Sequence, residues 1–177
     1  MRRMRLTRSF LPVETLRTKD VMTPRTVVMA LPREQTVEET FAKHKDIIFS
    51  RLPVYDKSLD QTTGYVLKNQ LLLAAARGNA GQPLSAFERK LVILPEIAAL
   101  PSVFQQMIET REHIALVVDE YGGTAGVISL EDIVETLLGL EIVDEADTVK
   151  DMQAFARRCW SARAAKLGLV SAESEER

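Results

Sequence analysis

Apolar and polar positions in this chain come in short bursts bounded by proline or glycine, a pattern that alternates strands with short amphipathic helices. Residues 26–30, 52–55 and 64–67 are brief runs rich in β-branched, aromatic and aliphatic side chains, so each is expected as a strand. Thr36-Val37-Glu38-Glu39 has the form of a capping box, and Val37, Phe41, His44 and Ile48 then share one face of the helix it opens. A further helix is expected over 69–76, ended by the linker Gly78-Asn79-Ala80-Gly81-Gln82-Pro83. Ahead of these elements, residues 20–24 are expected to be extended, because Pro24 disfavours helix at Thr23. Residues 1–17 have no clean period and read as an arm, with a short helix around Phe10, Leu11 and Val13.

Beyond the linker the same order returns. Leu31-Pro32 recurs as Leu94-Pro95, Phe41 as Phe104, Val54 as Val117 and Asp56 as Asp119, each 63 positions on, and Gly64 recurs as Gly126 after the loss of one residue. The chain is thus read as an α+β protein in which a β-α-β-β-α unit is written twice. A unit of about 60 residues buries little surface alone, so the copies should pack through their sheets about a pseudo-two-fold axis, leaving two related clefts. The expected divisions are an arm over 1–17, one unit over 18–80, a second over 81–147, and an amphipathic helix with its tail over 148–177. In that last segment Met152, Phe155, Ala156, Cys159 and Trp160 share a face, with Arg157, Arg158, Arg163 and Lys166 around it.

The most informative stretch is residues 115–139, ALVVDEYGGTAGVISLEDIVETLLG. It reads as strand, glycine hairpin, strand and helix, with Ser129 and Asp132 meeting where the helix begins. Two readings stand side by side. Ser129 is the N-cap and Asp132 its acidic capping-box partner, or Ser129 donates to a phosphate and Asp132 accepts from ribose hydroxyls at a helix N-terminus. Glu131 lies beside them. The first repeat is different at the matching positions, offering Leu67 for Ser129 and Gln70 for Asp132. Across the pseudo-two-fold axis, Phe49-Ser50-Arg51 is placed to meet the helix that Ser129 opens. A purine would need an apolar slot, with Val127, Ile128, the strand around Thr26 and Val92 as walls.

With 46% apolar and 27% charged residues the composition is globular, and no apolar run approaches the roughly 20 residues of a membrane span. Cys159 stands alone, so there is no internal disulfide, and two distant histidines make no zinc-type cluster. The net charge of −2 hides a segregation, with seven Arg and Lys among residues 1–25 and nine carboxylates, without one Lys or Arg, over 119–147. An acidic block argues against nucleic acid as a partner. Neither a Walker loop nor a supported Ser/His/Asp or Cys/His set is present, and Gly122-Gly123-x-x-Gly126 lies between two strands, where it forms a turn. No enzyme activity is expected.

The duplicated unit, SRLPVYD at 50–56 and above all VDEYGGTAGVISLED at 118–132 resemble a tandem cystathionine-β-synthase (CBS) domain pair, or Bateman module. VMTPR at 21–25, together with that second-repeat signature, is similar to the CorC/CNNM magnesium and cobalt transport or efflux group, whose bacterial members are often called hemolysin-like. The resemblance covers roughly residues 18–147. It implies a regulatory module on the cytoplasmic face of the membrane, attached to a transport domain and binding adenine nucleotide, typically ATP with Mg²⁺. It further implies Arg51 on the phosphates with Ser50 nearby, Ser129 on phosphate and Asp132 on ribose. A homodimer is expected on separate grounds: the helices over 69–76 and 132–138 carry Leu71-Leu72-Leu73 and Ile133, Val134, Leu137 and Leu138, more apolar surface than one pair of repeats should bury. Carboxylates at 131 and 132 beside phosphates favour a ligand whose Mg²⁺ is held mainly by the nucleotide. The alternative is a ligand-free dimerisation module with a vestigial cleft.

Overall fold

The structure is a computed structural model that describes residues 15–138. The expected N-terminal helix around Phe10 and the C-terminal amphipathic helix lie outside that range.

Each repeat forms a three-stranded core sheet with two helices. In the first, β2 (Leu31–Pro32) pairs in parallel with β3 (Arg51–Tyr55), which pairs antiparallel with β4 (Thr62–Leu67). Helix α2 (Val37–Lys43) precedes β3, and α3 (Lys68–Ala76) follows β4. In the second repeat β5 (Val92–Pro95), β6 (Ile114–Val118) and β7 (Thr124–Ser129) repeat this pairing, with α4 (Leu100–Thr110) and α5 (Leu130–Leu138) as the helices. The correspondence extends to register. Leu31 faces Val54 as Leu94 faces Val117, and Val54 faces Gly64 as Val117 faces Gly126. The register slips at Val54/Tyr55 and again at Val117/Val118.

The local causes are visible. At the start of α2, Thr36 Oγ1 accepts from the Glu39 N–H at 3.2 Å and Glu39 accepts from the Thr36 N–H at 3.0 Å, closing the expected box. In the second hairpin Asp119 Oδ1 accepts from the N–H groups of Tyr121 and Gly123, at 2.9 and 2.8 Å, while Gly122 takes φ +82°.

Three expectations need correction. Residues 26–30 are not a strand: the chain turns after Pro24, with the Val27 N–H on the Pro24 carbonyl. The edge partner of β3 is instead Leu31–Pro32, whose neighbour in sequence the β-branched run had obscured. The segment at 20–24 is extended only at its end, because Thr18–Val21 forms the short helix α1 before the strand β1 (Thr23–Pro24). Helix α2 stops at Lys43, so Ile48 leaves its stripe and Ile47 is the buried residue instead.

The leading segment of each repeat packs into the other repeat. Strand β1, ahead of the first repeat, pairs with β7 of the second, and the Thr18 and Lys19 N–H groups reach the carbonyls of Ala98 and Glu96. At the matching place after the linker, the Leu84 and Ser85 N–H groups reach the carbonyls of Gln35 and Arg33 of the first repeat. Arg89 then bridges to Tyr65 on β4 as Thr23 pairs with Val127 on β7. The two cores follow the same exchange. Leu84 and Phe87 join Leu31, Leu52, Val66 and Leu71 in the first, whereas Leu16, Val21 and Met22 join Leu94, Met107 and Ile128 in the second.

This crossing explains both repeated glycines. A Cβ on Gly126 would run into the Thr23 carbonyl oxygen, and a Cβ on Gly64 into that of Arg89. Only glycine lets the exchanged strand come this close. Gly126→Ala is expected to cost about 1–3 kcal/mol through the displaced β1, a loss that a urea melt would read. A melt unchanged from the parent would mean that β1 is not held as described.

Candidate functional site: the cleft at the start of helix α5

Along β7 burial alternates, so that Thr124, Gly126 and Ile128 are buried on one face while Ala125, Val127 and Ser129 are half-buried on the other. Ile128 lies in the second core, which leaves Val127 as the apolar side chain of this pair available to a cleft. The strand ends at Ser129 and α5 begins at once, its first N–H on the His113 carbonyl at 3.0 Å.

Ser129 and Asp132 close a capping box. The Asp132 N–H donates to Ser129 Oγ at 3.0 Å, and Asp132 Oδ2 accepts from the Ser129 N–H at 3.0 Å and from the Ser129 hydroxyl at 2.6 Å. Burial raises the Asp132 pKa above the usual carboxylate range, against the smaller lowering effect of the Ser129 hydrogen bonds. Among the described residues this half-buried carboxylate is satisfied from its own helix turn alone, which leaves it acceptor capacity to spare.

Arg51 arrives from the first repeat. It opens β3 opposite Leu67, and its Nη1 lies 3.8 Å from Glu131 Oε1 in the first turn of α5. Glu131 is 69% exposed, and an exposed ion pair of that length is worth about 0–1 kcal/mol, so the guanidinium is easily retargeted. A cation, a helix N-terminus, a hydroxyl and a carboxylate thus meet across the junction of the two repeats. These groups suit an anionic ligand carrying vicinal hydroxyls. Among the described residues no group of three His, Cys, Asp or Glu side chains is placed to hold a metal ion.

The other expected residues lie on several different elements. Phe49 is half-buried against the first core, and Ser50, exposed, uses its carbonyl to accept the Lys68 N–H at 3.0 Å. Thr26 is exposed in the turn after Pro24, and the residue paired with Val127 is Thr23. Val92 sits on β5, with β6 between it and β7. Sequence reasoning missed the clamp at the opposite end of β7. There Asp60 accepts from the Thr124 N–H at 2.9 Å and from Arg25 at 3.0 and 3.3 Å, while the Thr124 hydroxyl donates to the Leu59 carbonyl at 2.9 Å. The Thr124 N–H, then Arg25, hold the Asp60 carboxyl below its usual range. The sequence signal was Thr-Gly spacing shared by both hairpins, but its partner in the other repeat had no local mark.

The Asp132 shift has a sign that can be tested. Because the folded pKa exceeds the unfolded one, the folded state holds the extra proton, so this residue's contribution is present at low pH and lost as pH rises through the folded value. A ligand that donates hydroxyls to Asp132 favours the ionised form. Its affinity is therefore expected to rise with pH across the same window and then level off, a slope that Asp132→Asn removes. Titrations between about pH 4 and pH 7 check this, and an identical slope in the variant would exclude Asp132 as its source.

Residues 86–139 match the family model of the CBS domain. The chain is 41% identical over 142 residues to a UPF0053 protein of Synechocystis sp., covering 78% of this chain and 40% of that protein. It is 31% identical over 150 residues to the magnesium and cobalt efflux protein CorC of Escherichia coli K12, covering 84% of this chain and 51% of CorC. It therefore spans about half or less of the length of these curated relatives. Among solved structures, the CBS domain of a bacterial CNNM/CorC family Mg²⁺ transporter in complex with ATP superposes with a TM-score of 0.68 at 30% identity, over 72% of this chain and 91% of that one. The intertwined repeats, their shared register and these likenesses agree, and the chain belongs to the CBS-domain family, in its CNNM/CorC group.

Proposed function

We propose that this chain is a regulatory module that binds one adenine nucleotide, ATP with its Mg²⁺, in the cleft at the start of α5 and so biases an attached membrane transport domain of the CorC/CNNM kind. The observation that carries this reading is the arrival of Arg51 from the first repeat at the N-terminus of the helix capped by Ser129 and Asp132. Phosphates would take Arg51 from Glu131, the Ser129 hydroxyl would turn to them, and Asp132 would accept from the ribose. The ATP complex of the related CBS domain supports adenine nucleotide as the ligand. A ligand that ties Arg51 of one repeat to α5 of the other favours one arrangement of the repeats and can shift a two-state equilibrium by its differential affinity. No residue here is assigned a catalytic role.

Thermal melts with AMP, ADP and ATP, each with and without Mg²⁺, test the reading. It predicts a saturable rise in melting temperature that is largest with ATP and Mg²⁺. No rise with any nucleotide would favour the dimerisation module with a vestigial cleft.

The assembly belongs to the same proposal. Leu72 and Leu73 on α3, Ile108 on α4 and Leu138 on α5 are large apolar side chains between 47% and 62% exposed, a surface suited to a second copy of the chain. A dimer is expected by sedimentation at tens of micromolar, and Leu72→Glu with Leu73→Glu is expected to give a folded monomer. A parent that sediments as a monomer with and without nucleotide would remove the dimer from the account.

A further inference from the structure

The two clefts differ by more than the loss of a hydroxyl and a carboxylate. Tyr65 on β4 faces Pro53 as Val127 on β7 faces Leu116, so the tyrosine stands where the second repeat has the shorter valine. It is only 6% exposed, and its hydroxyl donates to Glu112 Oε2 at 3.4 Å. Glu112 precedes β6 of the second repeat. It occupies the place that Phe49 holds before β3, since the Lys68 N–H reaches the Ser50 carbonyl as the Leu130 N–H reaches that of His113. The phenol thus crosses from one repeat to the other at the first cleft, as Arg51 does at the second.

We propose that the first cleft is closed from within by Tyr65, whose ring fills the slot left beside Val127 in the second cleft and whose hydroxyl ties the repeats together through Glu112. Tyr65 is then the residue that limits the chain to one nucleotide, a point that rests on the reading of the second cleft given above. It is also a fixed strut where the other cleft uses a removable ligand. Burial, then the nearby Glu112 carboxylate, raise the Tyr65 pKa against the lowering effect of Arg89 and Arg51. Gln70, at the place of Asp132, has a buried amide oxygen with no hydrogen-bond partner. An opened slot would therefore offer an acceptor to a ribose hydroxyl, without the hydroxyl that Ser129 offers in the second cleft. The ligand class expected there is a nucleoside.

The test uses the full chain carrying Tyr65→Val, titrated with p-cresol, which is the tyrosine side chain as a free molecule, and with adenosine. The variant is expected to melt lower than the parent. Its melting temperature should rise saturably with p-cresol, which leaves the parent unmoved, and calorimetry should show one more adenosine site per chain than in the parent. A folded variant that responds to neither compound beyond the parent overturns the proposal. Should the variant not fold, Tyr65→Phe and Glu112→Gln are compared singly and together in urea melts. The double variant is expected to lose no more stability than the larger single loss, and additive losses overturn the strut. Both readouts are independent of ATP. Failure of the parent to bind ATP would thus count against the proposed function while leaving this inference to be decided on its own results.

Discussion

Cut between Asn79 and Gly81, the chain is expected to give two fragments that do not fold apart and that fold when mixed. The first fragment would lack Leu84 and the partly buried Phe87 of its own core, and full burial of a side chain such as Leu84 is worth about 1.5–3 kcal/mol. It would also lose the hydrogen bonds that Leu84, Ser85 and Arg89 bring to Gln35, Arg33 and Tyr65, at about 0.5–1.5 kcal/mol apiece. The second fragment would lose Val21, Met22 and the strand β1, together with the bonds of Thr18 and Lys19 to Ala98 and Glu96. Domains of ordinary size hold only about 5–15 kcal/mol in total, and a unit of about 60 residues sits at the low end. Circular dichroism of each fragment alone and of the equimolar mixture reads the outcome. Cooperative melting of either fragment by itself would show that the exchanged segments contribute less than the structure implies.

The duplication was legible because it is written in side-chain types whose spacing survives as register: Leu31 with Val54 and Leu94 with Val117 take the same pairing in both sheets. The exchange of leading segments was not legible. Thr23 and Arg89 pair through their backbones, and nothing in a local pattern says which of two similar sheets a strand will join. The misplaced strand at 26–30 has the same origin, since β propensity there reported side-chain type while the turn after Pro24 and the pairing of Leu31 decided the backbone. At the site, Ser129 and Asp132 were legible as neighbours because a capping box is local. The place of Arg51 followed from the pseudo-symmetry, and its Nη1 lies 3.8 Å from Glu131 Oε1 at the start of α5. The strand around Thr26, expected as a wall of a purine slot, did not form, because the chain turns after Pro24.

Arg51→Ala is expected to weaken ATP binding by roughly tenfold to a hundredfold while leaving adenosine almost unaffected. Hydrogen bonds to charged groups are worth about 1.5–3 kcal/mol, and only ATP presents phosphates to this guanidinium. The cost to folding should be small, because the ion pair given up is long and its Glu131 partner is largely in water. The split between ATP and adenosine is what distinguishes a phosphate contact from a general loosening of the cleft. Equal weakening of both ligands would assign Arg51 a structural role.

The central proposal is that, at a single cleft per chain, Asp132 holds the ribose and Ser129 the phosphates of an adenine nucleotide. Calorimetric titration of ATP and Mg²⁺ into the parent and into Asp132→Asn tests it most directly, with one melting curve for each protein. The account predicts one site per chain in the parent and an affinity lower by about tenfold or more in the variant, which keeps the size of the side chain but loses charge-assisted hydrogen bonds to the ribose. Its melting temperature in the absence of ligand should change little. Two equal sites in the parent, or an unchanged affinity in a variant that melts lower, would contradict the account and leave Asp132 as a helix cap alone.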